Sequence, residues 1–465
     1  MENNMKSQVI GLSSDGSGIV KHEEKVIFLP LGIPGQIVRF RITHRKKQAF
    51  FGEIQEVLEE SPHYIPPCDA EFPLSGGAPW QHIAYDEQLH WKAQFVKDSL
   101  ERIAKQKNSI VDPIVPSPKI FRYRNKMEFS FGYSRMRKEI LSDGSIKHHD
   151  ENPGLGLHKR GNWREIVRCL GTCLSPEIFS KIVQKIEEFA LSSELPVWNP
   201  IIHKGFWRNL ILRNSERTGN ILVRIVVSEK KERSFWNPIV SALLKEIPNI
   251  SGIAVVLHSG VSVAGFDAPT ETLFGEDVLE EIWCGTHFRI SGNAFFQVNT
   301  ESAEKLMESI KECADIQEGE RVLDAFCGTG SIALALASSA KRVLGVEVIP
   351  EAIQNARENA KRNAINNTEF IVGSVESILP ETLIDFAPHV VVTDPPRNGL
   401  PKKVRKSLFS TSAKKIILVS CNPATLARDI LEANEFGWKL TKARPHDLFP
   451  NTPHVETVAL LEKRT

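Results

Sequence analysis

The chain lacks any run of eighteen apolar residues, and its opening stretch, MENNMKSQVIGLSSDGSG, holds no apolar core of the kind a secretion signal needs. No membrane segment is expected, and the expected location is the cytoplasm. Excess charge of one sign is also missing: 58 Lys and Arg stand against 57 Asp and Glu, a formal net charge of +1. A polyanionic partner would therefore have to be met by local basic patches rather than by a global field. Cysteine is scarce, with seven in 465 residues and no CxxC pair. An odd set in a chain without a secretion signal points to free thiols or a metal site before a disulfide framework. Internal repeats and low-complexity tracts are absent. What remains is ordinary for a globular protein, 41% hydrophobic and 25% charged residues, over a length that suits about two to four domains.

Residues 1–60 alternate short β-like runs (QVIGL, KVIFLP, GQIVRFRITH, FFGEIQEVL) with the turn signals SDGSG and LGIPG, which predicts a small β-barrel. Between Val26 and Gly52 lie Arg39, Arg41, Arg45, Lys46 and Lys47 with no acidic residue, and Phe50 and Phe51 close the stretch. Basic side chains beside aromatics on a small barrel form a nucleic-acid surface as readily as a solvated hairpin. The middle, 61–292, mixes a helical spacing at Glu87 to Lys107 with strand-like MEFSFGY, NILVRIVVS and GIAVVLHS, an α+β pattern. From 293 onward RVLDAF, RVLGVEV, EFIVG, HVVVTD and KKIILVS alternate with helical segments, the pattern of a doubly wound parallel sheet. The final HVETVALLEK alternates like an antiparallel edge strand.

Cys421 stands between the apolar run Ile416–Val419 and Asn422-Pro423, which read as a helix N-cap followed by a Pro at the first helical position. Ligands of open α/β sheets bind outside the carboxyl ends of strands, and a helix N-terminus favours a thiolate. Cys421 is thus either a small buried thiol or a nucleophile, and its position alone leaves both open.

The first strand of this region ends in DAFCGTGS, without the full G-x-G-x-x-G of dinucleotide folds and without the Lys of a phosphate loop. The second ends in Gly345-Val346-Glu347, where a carboxylate suits the two hydroxyls of a ribose. A ribose-binding acid without a pyrophosphate cradle favours S-adenosylmethionine over NAD, with Asp324 free to hold the cofactor's amino-acid end. The fourth strand runs into Asp394-Pro395-Pro396-Arg397, whose Arg replaces the aromatic residue that amine methyltransferases often carry there.

The blocks DAFCGTGS, GVEV, TDPPRNG, VSCNPATLARD and DLFPNTPHVETV occur in this order and together resemble the RNA uracil-C5 methyltransferases that form 5-methyluridine. FRYRNKMEFSFG, SGNAFFQVN and PCDAEFPLSGGAPWQH look like the family's other blocks, and the first sixty residues resemble its RNA-binding TRAM domain. The resemblance implies a multidomain α/β protein. An OB-like TRAM barrel at 1–60 would precede a central α+β domain at 61–292, whose helical region 87–113 is placed to pack on the catalytic domain. A Rossmann-like methyltransferase domain with a mostly parallel sheet would follow at 293–465.

The resemblance further implies Cys421 as nucleophile and Glu456 as general base, with S-adenosylmethionine contacts at Gln297, Phe326, Ser331, Glu347, Ser374 and Asp394. From spacing alone Glu456 would read as a solvated residue. RNA contacts are expected at the basic barrel residues and at Arg124, Lys126 and Arg397. The expected substrate is a uridine in large-subunit ribosomal RNA, because transfer-RNA relatives often lack the barrel; transfer RNA is the alternative, and a monomer is expected. Two rival classes are an amine or cytosine methyltransferase and a non-catalytic RNA-binding module. Arg397 and the late Cys421 argue against the first, and the Cys421 and Glu456 pair against the second. Many relatives hold an iron-sulfur cluster on four cysteines. Here Cys68 and Cys173 match two of those places while Ser75 and Ala78 stand at the others, so neither a cluster nor another metal is expected.

Overall fold

The computed structural model describes residues 5–47, 49–106, 111–140, 146–261 and 268–463. They fall into two compact units, one of Met1–Pro67, Pro79–Ile120 and Glu301–Thr465, the other of Cys68–Ala78 and Phe121–Thr300.

In the first unit, the strands Met5–Leu12, Gly18–His22, Lys25–Leu29, Ile37–Lys46 and Ala49–Glu59 close a five-stranded barrel. Alternation makes it possible: Val9, Val20, Ile27, Leu29, Val38 and Phe40 turn inward to one small core. The helix Tyr85–Arg102 then joins this barrel to the C-terminal sheet. Trp80 and Phe95 pack with Leu12 and Ile33 of the barrel region, while Val96 and Leu100 enter the core of the C-terminal sheet.

That sheet has the order Thr368–Val372, Arg342–Glu347, Arg321–Ala325, Val390–Thr393, Lys415–Ser420, Glu456–Lys463, Trp438–His446. The first five strands are parallel; the edge strand Thr368–Val372 buries only Phe370, and the other four are nearly all apolar, as burial on both faces demands. The order reverses between Arg321–Ala325 and Val390–Thr393, which places the topological switch point there. The strand Glu456–Lys463 is antiparallel, yet it is not the edge. It lies between Lys415–Ser420 and Trp438–His446, and the edge is the latter. The cause is a hairpin that folds the last strand inward, so both faces of Thr457–Ala459 are buried, a placement the alternation of HVETVALLEK does not reveal.

The second unit carries a seven-stranded sheet in the order Thr270–Gly275, Ile250–Leu257, Ile221–Val227, Trp207–Asn214, Lys126–Ile140, Ile146–Lys159, Asn162–Arg168. The helices Glu177–Ser192 and Arg233–Glu246 supply Phe179, Ile182, Ile186 and Trp236 to a core shared with Phe129, Trp207 and Leu210. Among the described residues, no helix is long and apolar enough to cross a membrane.

Candidate active site

Cys421 follows directly on the strand Lys415–Ser420, and the helix Pro423–Glu435 begins two residues later. The Asn422 side chain caps that helix, accepting from the Ala424 and Thr425 amides at 3.0 and 3.5 Å, and Pro423 fills the first turn. This cap holds Cys421 at the strand tip, half-buried and open to a ligand.

Glu456 opens the neighbouring antiparallel strand. Ser420 pairs with Thr457, so Cys421, one residue further on, comes level with Glu456. Its carboxyl is buried and is driven well above the ordinary carboxylate range, by burial first and by Asp394 second. Asp394, at the end of Val390–Thr393, is itself pushed up to about 7 by burial. Around Cys421 these groups act together. Burial pushes the thiol up to about 11, the negative potentials of Glu456 and Asp394 add to the shift, and Arg397 opposes it. Groups from three separate parts of the chain thus share one electrostatic neighbourhood, at the carboxyl ends of Val390–Thr393 and Lys415–Ser420 and the amino end of the antiparallel Glu456–Lys463.

On the other side of the switch point, the loop after Arg321–Ala325 turns through Phe326 at φ 70, Gly328 at φ 54 and Gly330 at φ 82. A side-chain carbon on Gly330 would meet Ala356 at 3.0 Å and Phe370 at 3.1 Å, whereas one on Gly328 would meet no atom within 4 Å. Gly330 is therefore required for packing, and Gly328 faces open space. Glu347 ends the next strand, where its carboxylate accepts from the Gly328 amide at 3.2 Å and from the Val348 and Ile349 amides at 2.7 and 3.0 Å. Asp324 is fully buried and pushed up to about 8, chiefly by burial. One of its oxygens accepts from the Ala333 amide at 2.9 Å, and the other has no protein partner.

Ser331 starts the helix Ser331–Ala337, and Ser374 precedes the helix Val375–Phe386, where its hydroxyl makes no capping bond. Phe326, Ser331, Glu347, Ser374 and Asp394 thus all stand at strand or loop ends on the carboxyl side of one sheet. Gln297, Arg124 and Lys126 belong to the second unit. There the Gln297 carbonyl accepts from Asn125 Nδ2 at 3.0 Å. Lys126 lies opposite Arg213 and is pushed down to about 8, by burial first and by Arg213 next.

An S-adenosylmethionine fits the residues that the first unit gathers at the carboxyl side of its sheet. The donors hold the Glu347 carboxylate at the strand tip, where a ribose diol would meet it, and the loop at Gly328 leaves room. Val348 and Ile349, 58% and 54% exposed just beyond, offer the apolar rim an adenine needs. Sequence reading placed the strand end at Glu347 but did not single out this pair, because two apolar residues before a helix-opening Pro350 look like any strand-to-helix turn.

On the barrel, the basic residues divide. Arg39 forms an ion pair with Glu56, and Arg41 with Glu53 at 2.7 Å, across strands Ile37–Lys46 and Ala49–Glu59. Arg45, Lys46 and Lys47 stay exposed at the hairpin tip. In the second unit, ligand atoms of Cys68, Asp69 and Cys173 lie within 4.8 Å of one another. The Cys173 amide donates to Asp69 Oδ1 at 2.6 Å. Ser75 and Ala78, at the other two cysteine places of relatives, are buried, and Ala78 packs beside Cys173 and Leu174.

Fold and site together define an S-adenosylmethionine-dependent methyltransferase with an appended five-stranded barrel. Comparison with known proteins narrows this class. Residues 274–464 match the tRNA (Uracil-5-)-methyltransferase family model, and residues 5–63 match the TRAM domain of tRNA (uracil(54)-C(5))-methyltransferase. An RNA methyltransferase of Nitratidesulfovibrio vulgaris is 34% identical over 98% of this chain and 95% of its own length. One from Caldanaerobacter subterraneus is 34% identical over 96% of each. The crystal structure of Pyrococcus abyssi tRNA (uracil-54, C5)-methyltransferase with S-adenosyl-L-homocysteine superposes with a TM-score of 0.76 at 27% identity, covering 98% of this chain and 99% of that one. The chain belongs to the RNA uracil-C5 methyltransferase family, and its N-terminal barrel is a TRAM domain.

Proposed function

We propose that the protein methylates C5 of a uridine in large-subunit ribosomal RNA, with Cys421 as nucleophile and Glu456 as general base. The observation that carries this reading is the convergence of Cys421, Glu456, Asp394 and Arg397 at one end of the sheet. C5 of uracil is a poor nucleophile. The Cys421 thiolate forms a bond to C6, and the C5–C6 π electrons move toward the C4 carbonyl as an enolate, which makes C5 reactive. S-adenosylmethionine supplies the methyl group when bound, and Phe326, Ser331, Glu347, Ser374, Asp394 and Gln297 are the residues proposed to hold it. Glu456 then removes the proton left on C5, and the returning electron pair breaks the C6–S bond and frees Cys421. Burial raises the proton affinity of Glu456, so its ionised carboxylate is a stronger base than a solvated one but must first give up its own proton before it can take the one on C5. Arg397 lies beside the thiol and is placed to counter enolate charge, and Arg124, Lys126 and the barrel cations are proposed to hold flanking RNA. The target base must leave its stack to reach Cys421.

The pH response follows from the direction of the Cys421 shift. Its affinity for protons is raised, so thiolate is scarce at neutral pH and kcat/KM should climb about tenfold per pH unit below the thiol's pKa. Arg397→Gln removes the group that lowers this pKa, so the rising limb should move to higher pH. A limb that stays in place in the variant's kcat/KM profile would deny Arg397 that effect.

The barrel does not by itself separate ribosomal RNA from transfer RNA as the substrate. The P. abyssi transfer-RNA enzyme aligns over 98% of this chain, barrel included. Transfer RNA is therefore the second reading. Nucleoside mass spectrometry after incubation with ribosomal RNA fragments, transfer RNA and S-adenosylmethionine separates the two. New 5-methyluridine in ribosomal RNA supports the proposal, its confinement to transfer RNA supports the second reading, and a methyl group on any other base contradicts both.

We also propose that no iron-sulfur cluster is held, since the thiols of Cys68 and Cys173 are two where a cubane takes four. Protein purified and reconstituted under anaerobic conditions should carry no stoichiometric iron or acid-labile sulfide; about four irons per chain would contradict this.

A further inference from the structure

We infer that an open aromatic stack on the barrel, ending at His44, receives an unpaired base of the RNA substrate. This deepens the proposed function and rests on its reading of RNA as the substrate.

Phe28 of the strand Lys25–Leu29 is paired with Phe51 of Ala49–Glu59, and Phe51 is paired with His44 of Ile37–Lys46. Direct partners on neighbouring strands share a face. The adjacent residues Ile27 and Leu29 point into the barrel core, so Phe28, Phe51 and His44 form a row on the outside. Their rings meet. Phe28 and Phe51 lie 5.5 Å apart at 30°, and Phe51 and His44 lie 4.8 Å apart at 4°, a parallel stack. Neither phenylalanine is buried, and His44 is exposed.

The terminal ring is held in place. The Thr43 hydroxyl donates to the Phe51 carbonyl at 3.1 Å, so its oxygen is left to accept from His44 Nδ1, also at 3.1 Å. Thr43 thereby orients His44 without covering its outer face. Phe28 and Phe51 are half-buried yet belong neither to the barrel core nor to the residues packed against it, so the core does not account for the row.

Charge indicates the occupant. Arg39 and Arg41 are neutralised by Glu56 and Glu53, which leaves the positive potential concentrated at Arg45, Lys46 and Lys47, immediately beside the stack. Arg45 lies over Phe50, 5.2 Å from the ring centroid. Aromatic faces flanked by cations bind a single strand by stacking bases while the cations follow the phosphates. A duplex, whose bases are already stacked on one another, offers the cations its phosphates but nothing to the rings.

The test uses the full chain and a twelve-nucleotide single-stranded RNA containing one 2-aminopurine, whose fluorescence is quenched by stacking, with the matching duplex as control. Binding is followed by anisotropy. The wild type should quench the probe and bind the single strand more tightly than the duplex. His44→Ala should remove the quenching and weaken single-strand binding by about 5- to 100-fold, the usual range for losing one stacked base. Phe51→Leu, which keeps apolar volume, should do the same to a smaller degree. Lys46→Gln with Lys47→Gln should weaken single strand and duplex alike and reduce the salt dependence. Unchanged quenching in both His44→Ala and Phe51→Leu would overturn the inference, as would equal binding of single strand and duplex by the wild type. Because binding is read without turnover, a wild type that methylates RNA while these variants bind normally refutes only the stack. Absence of RNA binding by the wild type at low salt refutes both the stack and the RNA reading.

Discussion

Glu456→Gln is expected to stop turnover while leaving a stable covalent link between protein and RNA. Glutamine keeps the shape of the buried side chain at the strand start but cannot take up a proton. Attack by Cys421 and methyl transfer can still occur once, after which C5 keeps its proton and the C6–S bond cannot break. A band of protein-linked RNA should build up on a denaturing gel, and the steady-state rate should fall by about 10²- to 10⁴-fold, the scale of losing a general base. Release of methylated RNA at near wild-type rates would reassign the base, with Asp394 next in line because it lies in the same neighbourhood.

The second large effect concerns stability. Lys92, in the helix Tyr85–Arg102, is fully buried, and its Nζ donates to Asp447 Oδ1 at 2.6 Å and to the Phe449 carbonyl at 3.0 Å. Asp447 Oδ1 also accepts from the Phe449 amide at 3.1 Å, and Asp447 Oδ2 has no protein partner. The pair ties this helix to the loop that leads into Glu456. Lys92→Met leaves a buried carboxylate without its counter-charge, which should cost about 3–5 kcal/mol. The double variant Lys92→Met with Asp447→Asn should recover much of that loss, because the two residues are one charge system. Denaturant unfolding followed by tryptophan fluorescence suits the measurement, since Lys92 lies over the Trp80 ring at 6.0 Å. A single-variant loss below about 1 kcal/mol would show that the pair contributes little.

The residues differ in how much of this arrangement could be read from the chain. The strand tip at Cys421 was legible because its determinants are local: an apolar run, then Asn422 and Pro423, whose capping roles depend only on neighbours. The parallel strands were legible because burial on both faces leaves unbroken apolar runs. Glu456 was not, since its burial depends on which strands flank it, and the hairpin that folds Glu456–Lys463 inward involves pairings across the whole sheet. The same reason hid the Lys92–Asp447 pair, 355 residues apart in sequence. It also hid the neutralisation of Arg39 and Arg41, whose acidic partners lie on the following strand, just outside the stretch that looked purely basic. In the aromatic row, Phe51 was visible beside that stretch, but Phe28 and His44 join it only through cross-strand register.

The most direct measurement concerns Cys421 itself. Fluorine at C5 cannot leave as a proton, so RNA carrying 5-fluorouracil should be held on the enzyme after methyl transfer. Wild-type protein, S-adenosylmethionine and such an RNA should give an adduct stable to denaturation, which mass spectrometry of the digested complex places on Cys421 and which Cys421→Ala does not form. A wild-type protein that methylates ordinary uridine in the same RNA yet forms no adduct, or forms one that survives in Cys421→Ala, would contradict the assignment of Cys421 as nucleophile.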